Sequence, residues 1–529
     1  MEAPPIPMIP TSLLPQIPLR QLCETGRFWY LDRLEQYFYG TQDDAKRYDW
    51  NGAMRTMGMD TAFQSLHQAP GYYVALDRRR PHTRKRFGLM IVSSLTQMAI
   101  DGDAFPEINV DQDELAQQAL REWSKIMMLP QKLAEARDKG GAEGTACLSL
   151  GVVNGQFAVD VHNAKHVTVL YWEDRQKLIA GAVFKAYCFR RDVFVDGQRK
   201  PKDFWYVRYW DGRFDMTWEA IPAEVAERPD WASAVMPSFV GQHDFGFCPF
   251  YWVQNLPDSE EEDGMGDYEG LEDKFDRYNQ LLSATVKGTT ENVDPTLVVK
   301  DDDDGAQVTK GSGAVIHSPN GAEFLELAGT SATTAISVLD SLRMSILEET
   351  QVVMPREDKI TGAAQSAAAM RILYRPMISR CNKLRAQYGG ALQRILQDVL
   401  RVARKYRDDV REIYDGQGRI VGREQYTLTP PLDPGQAELV TLKWPEYFAP
   451  TSQDLKDVVS TAKEAAGGQP VISHRTSVDF AARYFGVSDT DAELKEIESD
   501  KDADMERTKQ ALQNEVDVSG VNDDEPDEE

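Results

Sequence analysis

Apolar residues recur at steps of three and four along residues 331–407, with one interruption. Ile336, Leu339, Leu342 and Ile346 share one face of a helix, and that segment ends at Val352-Val353-Met354-Pro355. Arg356-Glu357-Asp358-Lys359-Ile360-Thr361-Gly362 follows, charged and closed by a glycine. A second periodic run passes through Met370, Leu373, Met377, Cys381, Leu384, Tyr388, Leu392, Ile395, Val399 and Val402. At 1.5 Å per residue this run predicts a helix of roughly 60 Å or more, well beyond the globular mean of about 11–12 residues. Pro376 is expected to kink it about three turns in. The pattern describes a charged loop held between two rods.

Elsewhere the elements are shorter. Six prolines within residues 1–18, and no basic start, give no sign of a signal peptide and predict an extended arm over 1–24, disordered or laid on a partner. Helices are predicted over 27–39, stopped by Gly40, over 87–100 with Leu89, Ile91, Val92 and Leu95 inward, and over 115–136 with a break near Pro130. From Thr145 the period falls to two. Asn154-Gly155 and Asp211-Gly212 are hairpin turns among strands at 146–157, 167–172, 182–189, 204–210 and 214–219. Residues 245–255 are aromatic and end in a loop. Leu271, Phe275, Tyr278, Leu281 and Leu282 then share a face of a helix over 267–287. Short strands at 296–299, 314–317 and 323–327 form a small module between that helix and the one from 331. A hairpin surrounds Gly416-Gln417-Gly418, helix returns over 453–511, and the acidic residues 512–529 are expected to be disordered. The fold class is α+β, without internal repeats.

The 529 residues suffice for several compact units, and 42% hydrophobic with 27% charged residues is the balance of a soluble folded protein. No apolar run reaches the ~18–20 residues of a membrane span. Cysteines at 23, 147, 188, 248 and 381 are odd in number and form no Cys-x-x-Cys, which argues against a disulfide framework or a zinc site. The net charge of −26 opposes tight binding to phosphates. The chain either avoids DNA, carries one local basic patch, or handles DNA without adhering to it.

Signals of chemistry are weak. His162 and His166 are four apart but lie among strands, where that spacing does not pair them, and no His-Glu-x-x-His occurs. Gly264-Met265-Gly266-Asp267-Tyr268-Glu269-Gly270 has one residue too many for a dinucleotide fingerprint and follows an acidic loop, so it reads as a flexible lead into a helix. Asp301-Asp302-Asp303-Asp304-Gly305 offers oxygen ligands to a divalent cation, although a solvated turn is the plainer reading. Arg78, Arg79, Arg80, Arg84, Lys85 and Arg86 form the one concentrated basic patch, suited to phosphate or an acidic neighbour, or simply an exposed helix entry. Nothing assembles a nucleophile, base and oxyanion hole, and no cofactor is expected.

Taken in order, several motifs resemble the portal proteins of tailed bacteriophages, the head-to-tail connectors, over roughly residues 25–505. They are Tyr37-Phe38-Tyr39-Gly40, the 81–95 helix, the 144–159 hairpin, Cys248-Pro249-Phe250-Tyr251-Trp252-Val253-Gln254-Asn255, Asp276-Arg277-Tyr278-Asn279, Lys359-Ile360-Thr361-Gly362-Ala363-Ala364, Trp444-Pro445, Ile472-Ser473-His474-Arg475-Thr476, Gly486-Val487-Ser488-Asp489, and Ala492-Glu493-Leu494-Lys495-Glu496-Ile497. The proline-rich arm and the three-arginine run have no counterpart in that family.

The resemblance implies a portal-type fold: a wing of helices and antiparallel sheet (25–256), a first stem helix (257–290), a clip (291–329), a second stem helix (330–352), a tunnel loop (353–362), a long helix returning to the wing (363–449) and a helical crown (450–511). It implies that Met354, Pro355, Arg356, Glu357, Asp358, Lys359, Ile360 and Thr361 face a channel. In the clip, Thr296, Val298, Lys300, Asp302, Asp303, Lys310, His317 and Asn320 would dock the packaging motor and later the tail adaptor. It further implies a homo-oligomeric ring of about twelve subunits. Implied partners are the large terminase subunit, a head-completion or tail adaptor protein, major capsid and scaffolding proteins, and double-stranded DNA passing non-specifically. The ring would be assembled in the host cytoplasm and sit at a capsid vertex, without enzymatic activity or membrane contact. An acidic wall suits such a conduit, because every phosphate contact adds counterion-release affinity and a ring multiplies it. Two other readings stay open: a metal-dependent hydrolase using the aspartate run, and a capsid- or scaffold-binding protein without a channel.

Overall fold

A computed structural model describes residues 14, 16–41, 83–110, 113–153, 155–174, 179–195, 198–243, 245–258, 260–293, 296–299, 322–325, 330–354, 367–405, 410–414, 420–425, 440–448, 452–466, 473–485 and 490–519. The chain forms two units. One comprises Met1–Met354 with Pro376–Pro445, the other Pro355–Arg375 with Glu446–Glu529.

The larger unit is built on antiparallel strands. β1 (Glu107–Val110) pairs with β14 (Val440–Lys443). β2 (Thr145–Val153), β3 (Gln156–Asn163) and β9 (Phe250–Gln254) form a three-stranded sheet in the order β3-β2-β9. The largest sheet has the order β13-β12-β8-β7-β6-β5-β4. Its strands are β4 (Val167–Trp172), β5 (Ala180–Val195), β6 (Gln198–Trp210), β7 (Phe214–Pro222), β8 (Phe239–Gln242), β12 (Val410–Tyr414) and β13 (Ile420–Gln425). Alternation makes one of its faces apolar: Phe184 and Ala186, then Trp205, Val207 and Tyr209, then Met216 and Trp218 are buried there with Trp231. The expected hairpins stand. Val153 pairs with Gln156 around Gly155, whose φ is +75°, and the Asp211 carboxylate accepts from the amides of Arg213 and Phe214 at 2.7 Å each.

The described helices of this unit include α2 (Gly26–Tyr39), α3 (Phe87–Ala99), α4 (Glu114–Ile126), α5 (Leu129–Glu143), α6 (Glu272–Val293) and α7 (Thr330–Glu349). Between α6 and α7, β10 (Thr296–Val299) pairs antiparallel with β11 (Ala322–Leu325). The chain therefore runs out along α6, reverses through a small strand pair and returns along α7. A further helix, α9 (Arg375–Lys405), buries Met377, Cys381, Leu384, Tyr388, Leu392, Ile395, Val399 and Val402, the face that the periodicity predicts.

In the smaller unit, α8 (Ala367–Leu373), α10 (Ser452–Ala466), α11 (His474–Phe485) and α12 (Thr490–Ser519) are helical. Ser473 starts α11 by accepting from the Thr476 amide at 3.2 Å, and the Ser477 hydroxyl donates to the Ala462 carbonyl at 2.7 Å, joining α11 to α10.

Three expectations need correction. The run from 363 to 407 is not one rod, because helix stops at Leu373 and restarts at Arg375. Pro376 lacks the amide that would continue the ladder, and it is tolerated in the first turn of α9. That leaves α9 with 31 residues, about 46 Å long. The arm is not detached throughout: Leu14 and Leu19, the latter in α1 (Leu19–Cys23), are buried against the large sheet. Helix α12 runs past 512 to Ser519, continuing a helix whose earlier turns are rich in helix-favouring Glu, Lys and Ala.

Candidate functional site

Of the tunnel-loop residues, only Met354 is described; Pro355, Arg356, Glu357, Asp358, Lys359, Ile360 and Thr361 lie outside the described residues. Thr296 and Val298 fall on β10, while Lys300, Asp302, Asp303, Lys310, His317, Asn320 and the Asp301–304 run also lie outside them. Arg78, Arg79 and Arg80 do as well.

The other half of the basic patch is engaged with the fold. Arg84 donates to the Gly40 carbonyl at the end of α2, and the Lys85 amide donates to Asn279 Oδ1 on α6 at 2.8 Å. Thr83 exchanges two hydrogen bonds with the Ser283 hydroxyl, also on α6 (3.1 and 2.9 Å). Burial, then Arg343 of α7, lowers the Lys85 pKa. This segment straps the first half of the α6–α7 pair. Within the pair, Lys274 of α6 donates to Ser345 of α7 at 3.1 Å and forms an ion pair with Glu349.

The foot of α6 rests on a buried polar cluster that sequence reasoning missed. Arg137 on α5 and Asp267, five residues before α6, form an ion pair at 2.7 Å with both side chains 0% exposed. Arg380 of α9 approaches the other oxygen, Asp267 Oδ1, at 3.2 Å and also donates to the Asp267 carbonyl at 3.1 Å. Asn255, just past β9, donates to Asp267 Oδ1 at 3.1 Å and accepts from the Tyr388 hydroxyl of α9 at 3.2 Å. The Asp267 amide donates to the Gly141 carbonyl at 2.8 Å, and the Tyr268 hydroxyl reaches the Leu34 carbonyl at 2.6 Å. Thus α2, α5, α9 and the β9 end converge on one loop and fix where α6 leaves the body. The glycine-rich stretch 264–270 is therefore not a flexible lead. Its glycines allow close backbone contact: a Cβ on Gly264 would lie 2.8 Å from the carbonyl oxygens of Gly144 and Leu256. The legible signal was the cluster of glycines at 140, 141, 144, 264 and 266, because glycine spacing of this kind marks close backbone approach.

A second buried cluster ties α2 to α5. Lys165 Nζ lies 2.6 Å from Asp32 Oδ1 and also pairs with Glu35, while its amide donates to Glu143 Oε2 at 3.2 Å. Two carboxylates thus hold one buried ammonium, and a third carboxyl group accepts from the same residue's backbone amide. Burial, then the Glu35 carboxylate, pushes the Glu143 carboxyl up from 4.5 to about 8. The folded chain keeps a proton that the unfolded chain releases, so this stabilisation is full below about pH 4.5 and is lost as pH rises through about 8. The melting temperature is expected to fall across that window, and Glu143→Gln to flatten the fall. A slope unchanged in thermal melts of the variant would remove Glu143 as its source.

The two candidate histidines lie in separate surroundings. His162 sits between the Ser149 hydroxyl (2.8 Å) and Lys185 Nζ (3.0 Å), and burial, then Lys185, holds its pKa well below 6.5. His166 lies against Phe28 and Tyr187, and burial, then Lys165, pushes it down to about 3. Among the described residues no three His, Cys, Asp or Glu side chains gather as a metal site. No described helix is long and apolar enough to cross a membrane.

No curated protein matches the chain. Among solved structures, a chain described as "Neck of empty GTA particle computed with C6 symmetry" overlays with a TM-score of 0.37 at 10% identity, covering 75% of this chain and 94% of that one, below the level of a shared fold. The family model described as "Phage portal protein, SPP1 Gp6-like" matches residues 105–507, a span that takes in α6, the β10–β11 pair, α7 and α9. With well over half of its length matched, the chain belongs to the SPP1 Gp6-like family of phage portal proteins.

Proposed function

We propose that copies of this chain form a ring of about twelve at one capsid vertex, and that double-stranded DNA is packaged and ejected through its centre. The observation that carries this reading is the family match over 105–507. It is supported by the way α6 and α7 carry a strand pair away from the body, as two stem helices would carry a clip. In this reading the strand-rich body is the wing, residues 291–329 are the clip that docks the packaging motor and the tail adaptor, and residues 354–361 are the tunnel loop. The helices from Ser452 onward form the crown. The role is structural, with no reaction assigned to the chain, and its setting is the virion.

Particle mass and negative-stain images test the reading directly. Rings with a central hole are expected, and a monomer or dimer under every assembly condition would overturn it. Arg356→Ala combined with Lys359→Ala is expected to reduce both DNA packaging and retention of packaged DNA in assembled particles. Unchanged packaging together with unchanged retention would strip the tunnel-loop role from these residues.

A further inference from the structure

The β5–β6 hairpin outgrows its sheet. Strand β4 pairs with β5 only as far as Lys185, and β7 pairs with β6 only from Phe204, yet the β5–β6 ladder continues to Val195↔Gln198. Residues 190–195 and 198–203 therefore form a two-stranded ribbon of roughly 20 Å, with no neighbouring strand among the described residues. Its side chains are largely exposed, Phe194 at 69%. An isolated two-stranded ribbon is marginal in water, and like charges directly opposite one another weaken it further. Here Arg191 stands opposite Lys202, with Lys200 two residues along on the same face. None of the three has an ion-pair partner among the described residues. The other face is internally matched: Arg190 pairs with Asp203 at 2.8 Å, and Arg199 lies over the Phe194 ring at 5.3 Å.

Charged residues and Pro201 protect a free edge from strand pairing, but acidic residues would do so equally well. In a chain of net charge −26, acids there would also keep copies apart, whereas cations draw them together. The choice of sign points to an acidic partner, and another copy is the acidic surface at hand. Its complement lies on the same fold. After β9, Gln254 Nε2 holds the carbonyls of Asp258, Glu261 and Glu262 (3.3, 3.1 and 3.1 Å), and the Glu260 and Glu261 side chains are exposed.

We propose that the paired strands 190–195 and 198–203 are a docking arm whose Arg191–Lys200–Lys202 face binds the exposed Glu260 and Glu261 side chains of a second copy of this chain. The proposal rests on the ring reading. Its test is the assembly of full-length chains carrying Arg191→Glu, Lys200→Glu and Lys202→Glu together, followed by mass measurement across a salt series. The wild type is expected to associate more weakly as salt rises, and the triple variant to need about tenfold more protein to assemble at low salt. Adding Glu260→Lys and Glu261→Lys to the triple variant is expected to restore assembly. Triple-variant rings as stable as wild type overturn the arm, and so does failure of the reversed loop to rescue. Normal assembly with loss of retained DNA would assign the ribbon to phosphate and overturn the proposal as well. A wild-type chain that forms no ring at all discards the ring reading instead. Because the substituted residues are exposed, unchanged thermal melts separate lost association from lost folding.

Discussion

Asp267→Ala is expected to destabilise the fold by about 3–5 kcal/mol, the cost of leaving a buried charge without its partner. Arg137 is wholly buried, and among the described residues its Nε and Nη1 find no acceptor, so Asp267 is the counter-charge that keeps the guanidinium tolerable. The same carboxylate receives Arg380 and Asn255. Urea unfolding at fixed protein concentration measures the loss. The pair itself is a weaker stabiliser than its removal suggests, because desolvation offsets much of the attraction. Arg137→Met with Asp267→Leu should therefore cost clearly less than Asp267→Ala alone. A double variant as unstable as the single one would show that the cluster acts through packing and not through charge. Since α6 starts five residues after Asp267, losing this anchor should also loosen the root of the helix pair, read as faster amide exchange at Phe275 and Tyr278.

Gly144→Ala is expected to cost about 4 kcal/mol or more, placing it among the exceptional single substitutions. Gly144 ends α5 with φ +83°, and a Cβ there would lie 2.0 Å from the Gly264 carbonyl oxygen. That obstacle is backbone, held by hydrogen bonds from the Gly264 amide to the Thr145 hydroxyl at 3.2 Å and from the Met265 amide to the Leu256 carbonyl at 2.8 Å, so it cannot step aside as a flexible side chain would. Gly102 is the control. Its φ of +58° is also left-handed, but a Cβ there meets nothing within 4 Å, so Gly102→Ala should cost only the conformational ~1–2 kcal/mol. Equal losses in thermal melts of the two variants would mean that the contact between residues 144 and 264 does not govern the cost.

Both predictions turn on residues that pattern reading passed over. Periodicity identified the buried stripe of α9 residue by residue, and period-two alternation with Asn154-Gly155 and Asp211-Gly212 placed the hairpins, because those signals come from neighbours in sequence. It overlooked β9, whose aromatic run reads as strand only once β2 offers an edge. It stopped β5 and β6 short of their ends, because residues 190–195 and 198–203 form a ladder without the apolar alternation that marks a buried strand. The Arg137–Asp267 pair spans 130 positions, and nothing local distinguishes either residue from a surface charge.

The sequence by itself determined the α+β class, the order of helices and strands, the two helices flanking a small strand pair, and the motif order shared with phage portal proteins. All of these are written in spacing and turn chemistry over a few residues. Tertiary structure decided that Leu14 and Leu19 join the sheet, that the 264–270 loop is pinned, and that the β5–β6 ribbon leaves the sheet. Each of these depends on which distant groups meet, since desolvation, backbone clearance and strand edges exist only once the chain has closed on itself.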